Sequence, residues 1–311
     1  MIRTRFTELF GIEHPVMVAP MALHSSGRLA AAVSAAGGLG SFGGVNRVGP
    51  DWVTEQAAIV RRSTDRPFGI GFITPFLPMM EPLFDAALAA RPDVIALSFA
   101  DPRPWLRRAK DAGARVVCQV QTPADADDAV GAGADVLVVQ GNEAGGHTGT
   151  MGLLPFLSAV VSRHPDVPVL AAGGIADGRT LAAALLAGAD GAWLGTAFLA
   201  TTECEVGDDL KEAIVRSDGG DTVFTRAYDI ASGLPWPAGI GERVRRDAFA
   251  DDWHEREHEL RQRRVQPPVE PFRYGQSAAF VGRVRPAAEV VHSIVADAER
   301  ALRERPASLL G

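Results

Sequence analysis

Eight short apolar runs recur through the first two thirds of the chain, most of them separated by alanine-rich stretches of helical period. The runs are HPVMVAP (14–20), GGLGSFGG (37–44), RPFGIGFI (66–73), PDVIALSF (92–99), ARVVCQV (114–120), ADVLVVQ (134–140), VPVLAAGG (167–174) and ADGAWLG (189–195). They are nearly continuous rather than alternating, as expected for parallel strands covered on both faces. Between them, GRLAAAVSAAG, WLRRAKDAG, PADADDAVGAG and DGRTLAAALLAG read as helices that end at a glycine, the residue that favours a helix C-cap. Eight strand–helix units in roughly 200 residues is the count of a (β/α)8 TIM barrel. A doubly wound sheet is the alternative.

Residues 203–285 break this rhythm with SGLPWPAGIG, QPPVEPFRYG and the charged FADDWHEREHELRQRRV. Following the eighth strand, they are expected to form a mostly helical lid over the barrel mouth. The amphipathic PAAEVVHSIVADAERALRER then closes the chain, so that 1–202 and 286–311 form the barrel and 203–285 the lid. The charge run at 252–264 reads as a solvated helix face, with the partner subunit of a homodimer as the alternative. A net charge of −7 argues against a nucleic-acid surface, which needs a basic field. Two cysteines fit a reducing cytoplasm. The longest apolar run, around LAAALLAGADGAWLG, is broken by Asp190, so no membrane span is expected.

Gly38, Gly40 and Gly43 spell GxGxxG, but a helix-like stretch precedes them, whereas a dinucleotide turn needs a strand there. They read instead as the second barrel strand and its exit. The strand ends at Gly173-Gly174 and Gly195-Thr196 are more informative. The last two strands of a barrel commonly end in a phosphate site made of glycine amides and a helix N-terminus, and here a helix is expected to start near Asp177. The only lysines, Lys110 and Lys211, lie in helix-like stretches, which disfavours a Schiff base. No His/Asp/Glu/Cys cluster has metal-ligand spacing, so no metal is expected. Difficult chemistry would then fall to a phosphate-bearing organic cofactor. QGNEAGGHTG (140–149) places Glu143 and His147 among glycines at the end of the sixth run. Glu143 is expected to tie the loop to backbone amides.

QGNEAGGHTG, AAGGIADG (171–178), GAWLGTAFLATTE (191–203), TRFTELFGIEHPVMVAPMA (4–22) and DRPFG (65–69) together resemble the nitronate monooxygenase (2-nitropropane dioxygenase) family of FMN-dependent barrels. The flavin enoyl reductases related to it share the EAGGH block. The resemblance covers residues 1 to about 203 and implies a set of roles. Pro20, Met21 and Ala22 would lie against the isoalloxazine. Gln119 and Gln140 stand where some members carry lysine and aspartate near the flavin. Gly145 and Gly146 would border the cofactor, while Ala172, Gly173, Gly174, Gly195 and Thr196 would hold its phosphate. His147 matches the catalytic histidine. Gly71 and Ile73 replace polar residues of the family pattern. The implied reaction is oxidation of an alkyl nitronate by O2 to a carbonyl compound and nitrite. The alternatives are an NAD(P)H-dependent reductase of an activated double bond, such as that of an acyl thioester, and a flavin- or phosphate-binding protein without turnover.

Overall fold

The computed structural model describes residues 1–263, 265–267 and 269–310. Arg264 of the charge run, Pro268 and Gly311 lie outside the described residues. Each of the eight apolar runs contains a strand: β1 (Val16–Val18), β2 (Gly40–Gly43), β3 (Phe68–Ile73), β4 (Val94–Ser98), β5 (Arg115–Val120) and β6 (Val136–Gln140) come first. After the short β7 (Gly146–Thr148), β8 (Val169–Ala172) and β9 (Gly191–Leu194) complete the set. All pairs in the eight-stranded sheet are parallel, in the order β1-β9-β8-β6-β5-β4-β3-β2. Val18 N donates to Leu39 O at 3.1 Å and Leu39 N to Val16 O at 2.9 Å, which joins the two edges and closes the TIM barrel.

Inward-facing Met17, Leu39, Ala96, Val117, Val138 and Trp193 fill the barrel interior, so it is a packed core and not a pore. The helix Arg5–Phe10 plugs the N-terminal end, contributing Phe6 to that core. It is fixed by Arg5, which grips Asp190 through two hydrogen bonds of 2.9 and 2.7 Å. With that end sealed, only the opposite rim is free to hold a ligand. Alternate strand residues pack outward against the helices, as Phe42, Ile70, Leu97 and Val139 do. The last helix, Ala287–Leu310, lies on helix Gly178–Leu186, so closely that a Cβ on Gly178 would run into Asp297.

Among the described residues, 203–285 carry four α-helices, Asp208–Arg216, Ala227–Ser232, Ala248–Trp253 and Glu257–Arg263, and the 3-10 helix Gln276–Phe280. Strands β10 (Thr222–Thr225) and β11 (Gly241–Arg245) accompany them, so the segment is not helical alone. They surround a separate core built on Tyr228, Val244, Phe249 and Trp253. β11 pairs antiparallel with both β10 and β7, so QGNEAGGHTG is only partly a loop. On helix Glu257–Arg263 the single inward residue is Leu260, while Arg256 and Arg263 both meet Glu259, the pattern of a solvated face. No described helix is long and apolar enough to cross a membrane.

Gly40 lies where the β2 backbone meets helix Gly27–Ala35, and a Cβ there would collide with the Ala30 carbonyl. Gly40→Ala should therefore destabilise the fold by about 3 kcal/mol or more. Gly131, in helix Pro123–Ala132 with open space around it, is the control. Gly131→Ala should stabilise by about 0.5–1 kcal/mol. Urea denaturation of the two variants checks both signs.

Candidate active site

The C-terminal ends of the strands and the lid enclose a cavity of about 360 Å³. The segment after β1 brings Pro20, Met21 and Ala22 to its wall, and β5 and β6 bring Gln119 and Gln140. Gly145, Gly146 and His147 enter from β7 and the turn before it. Ala172, Gly173, Gly195 and Thr196 come from the ends of β8 and β9. Gly174 does not line the cavity; a Cβ there would rest 3.5 Å from the Glu143 Cβ.

Pro20–Ala22 form a shelf set by two glycines. A Cβ on Gly71 would strike the Pro20 ring, and one on Gly43 would come within 2.8 Å of the Ala22 Cα. Gly71, which the family pattern makes a lost polar contact, thus has a packing reason. At the other end, Gly173 and Gly174 adopt φ of +96° and +70°, conformations that favour glycine. The N–H groups of Gly173, Gly174, Gly195 and Thr196 have no partner among the described residues, and the short helix Thr196–Leu199 begins beside them. A turn of unpaired donors next to a flat shelf fits the phosphate and ring of FMN. The helix expected near Asp177 begins at Gly178. The Asp177 carboxylate caps its own first turn, accepting from Thr180 N at 2.8 Å, and Arg179 is exposed.

Pairing with β11 holds His147, with Glu242 directly opposite in register. Gln140 donates from Nε2 to His147 O at 2.9 Å and accepts from Gln121 Nε2 at 3.0 Å, so its amide is occupied in bracing this strand. Glu143 accepts from Leu153 N at 3.1 and 3.2 Å and ties down the first turn of helix Leu153–Arg163, as expected. Gly145 is required less by a cofactor than by the chain itself, since its Cβ would enter the Tyr274–Gly275 backbone. The imidazole is clamped by the lid. Its Nε2 lies 3.0 and 3.1 Å from the two Asp229 carboxylate oxygens. Trp236 stacks on its face at 3.5 Å between centroids, and the Phe99 ring approaches edge-on at 6.3 Å. Nδ1 has no hydrogen-bond partner among the described residues.

The sequence reading missed Asp229, Trp236, Glu242 and Arg273. Its one available signal was a lone tryptophan in the proline- and glycine-rich SGLPWPAGIG. Glu242 is fully buried, and its Oε2 accepts from Arg273 Nε at 2.7 Å while Oε1 has no partner. His147, Asp229 and Glu242 bring ligand-type atoms within 4.8 Å of one another, a cluster invisible to local spacing. The His147–Asp229 bond and the Arg273 guanidinium already occupy much of what a cation would need.

Burial pushes the Glu242 carboxyl above its ordinary range, against the pull of Arg273 and His147. A carboxyl whose folded pKa is raised binds more protons folded than unfolded, so stability falls as pH rises from the unfolded toward the folded value. Glu242→Gln keeps an acceptor for Arg273 and should flatten that fall, raising the urea midpoint above the ordinary carboxylate range relative to the native chain. Urea titrations across that pH window check the sign.

Comparison with known proteins accords with this geometry. The family model for nitronate monooxygenases matches residues 3–90 and 83–235. The chain is 36% identical over 245 residues to the (3aS,4S,5R,7aS)-5-hydroxy-7a-methyl-1-oxo-octahydro-1H-indene-4-carboxyl-CoA dehydrogenase of Mycobacterium tuberculosis; the match covers 75% of this chain and 65% of that protein, just under two thirds of its length. A Staphylococcus aureus protein named "Probable nitronate monooxygenase" is 30% identical over 277 residues, covering 73% of this chain and 76% of its own. FabK from Thermotoga maritima superposes with a TM-score of 0.88 at 32% identity, over 99% of this chain and 100% of the other. The nitroalkane oxidase of Streptomyces ansochromogenes gives 0.78 at 29% identity, over 97% and 99%. The chain therefore belongs to the nitronate monooxygenase family, whose cofactor is FMN.

Proposed function

We propose that this flavoenzyme interconverts the saturated and α,β-unsaturated forms of an acyl thioester, with His147 moving the proton. The observation that carries the reading is the His147–Asp229 pair. A buried carboxylate on Nε2 fixes the orientation of the ring, leaving Nδ1 to exchange a proton with a substrate carbon. An imidazole is the side chain whose ordinary titration lies closest to neutrality, so one group serves in either direction. FMN, when bound, supplies the hydride transfer. The chain's contribution is to hold, shield and protonate. Pro20, Met21 and Ala22 support the ring, the amides of Gly173, Gly174, Gly195 and Thr196 hold the phosphate, and Trp236 keeps water from His147. The name of the M. tuberculosis relative, a carboxyl-CoA dehydrogenase, supports a thioester substrate.

Oxidation of a nitronate is the second reading, supported by the family model and by the S. aureus and Streptomyces relatives. It requires an anion beside His147, whose Nε2 is held by Asp229 in a cavity that Arg47 and Arg273 also line. A nitronate, already deprotonated, gives the His–Asp pair no proton to move.

Anaerobic mixing of the FMN-loaded protein separates the two. NADPH should bleach the flavin, and crotonyl-CoA should restore its colour. Bleaching by propyl-2-nitronate without NADPH, and no response to the thioester, would transfer the assignment to nitronate oxidation. His147→Ala should slow turnover about 10²–10⁴-fold, the usual worth of a positioned acid or base, with flavin still bound. Asp229→Asn should slow it less.

A further inference from the structure

A second chamber, of about 260 Å³, adjoins the first and shares Phe99 and Gln119 with it. Leu97 and Val120, from β4 and β5, form one side, and lid residues 237–240 form the other, with Thr150 at the edge. Between the chambers stands Phe99 at φ +76°, a left-handed conformation that costs a bulky residue of the order of 1–3 kcal/mol. Its ring meets both His147 and Trp236 edge-on. Beside it, the half-buried side-chain amide of Gln119 has no hydrogen-bond partner among the described residues. A strained aromatic wall and an unpaired amide thus coincide at the boundary between the cavity of the acid/base residue and the further chamber.

The first cavity, at about 360 Å³, is near the low end of the range of about 300–1,000 Å³ that one drug-sized ligand fills. A substrate reacting at His147 beside a flavin ring has the adjoining chamber, across Phe99, as further space to occupy. The second chamber is unsuited to a phosphate, because Asp101, Asp125 and Asp128 line it and no lysine or arginine does. Those carboxylates are engaged, Asp101 and Asp128 by Arg103 and Asp125 by the Thr122 amide. What remains is apolar surface beside the Gln119 amide, with the Thr122 and Thr150 side chains also on the wall.

We infer that this chamber holds the acyl part of the thioester: a compact group bearing at least one oxygen, packed against Leu97, Val120 and Ile240 with its oxygen at the Gln119 amide. The thioester arm then leaves by the mouth of the first cavity, past Arg47. The inference rests on the thioester reading, and the test keeps the two apart. Camphor, a compact bicyclic ketone, should show saturation-transfer contact with the FMN-loaded protein and lose it in Thr150→Trp, in which an exposed residue at the edge is enlarged to fill the chamber. In Thr150→Trp the ratio of kcat/KM for cyclohexenecarbonyl-CoA over crotonyl-CoA should fall at least about 10-fold. Gln119→Leu should weaken camphor binding more than that of camphane, its hydrocarbon counterpart. Equal camphor binding in native and Thr150→Trp protein overturns the chamber assignment, as does displacement of camphor by NADPH but not by a thioester. If no thioester reacts while camphor binding follows the variants, the chamber stands and the thioester reading fails.

Discussion

The antiparallel pairing of Gly146–Thr148 with Gly241–Arg245 is the constraint on which the site depends. It stitches the segment after the eighth barrel strand to the turn after the sixth, and its register sets Glu242 against His147. Because side chains alternate along a strand, a slip of one residue would turn the imidazole away from the cavity. Gln140 from within the barrel braces the same strand, so His147 is located by the barrel on one side and by the lid on the other. Neither Asp229 nor Trp236 could reach it without that pairing.

Charge around this strand is arranged with little surplus. Glu242 is fully buried with one oxygen on Arg273 and one unpaired, and an unsatisfied buried acceptor is a cost that folding alone does not explain. Arg273 is shared with Glu270, which lies toward the mouth. His24, beside Arg273, is held below the ordinary imidazole range by burial first and by that guanidinium second. The result is a site with one imidazole next to carboxylates and a second disfavoured from carrying charge. Such a division suits proton traffic through a single residue.

The barrel was legible in the sequence because parallel strands buried on both faces leave unbroken apolar runs, and each of the eight contains a strand. The glycine ends of β8 and β9, and the role of Glu143 as a tether, were legible for similarly local reasons. The reason for Gly71 was not, because it lies in contact with Pro20, 51 residues earlier by their numbers. Asp229 is 82 residues from His147, and its surroundings, RAYDIASG, carry no pattern that marks a site. The helix start at Asp177 was legible too, because a capping aspartate ahead of a helical stretch is a local signal. What the sequence concealed came from long-range pairing, which leaves no periodicity behind.

The close approach of Gly145 to Tyr274–Gly275 has a consequence for how molecules enter. A Cβ on Gly275 would in turn meet Glu143 O, and Gln276 N donates to that same oxygen at 3.0 Å. The returning chain is welded to the site turn main chain to main chain, leaving no side-chain cushion that could act as a hinge. Leu23 and Leu234 line the cavity and are about half exposed, and side chains so placed change rotamer on the picosecond-to-nanosecond scale.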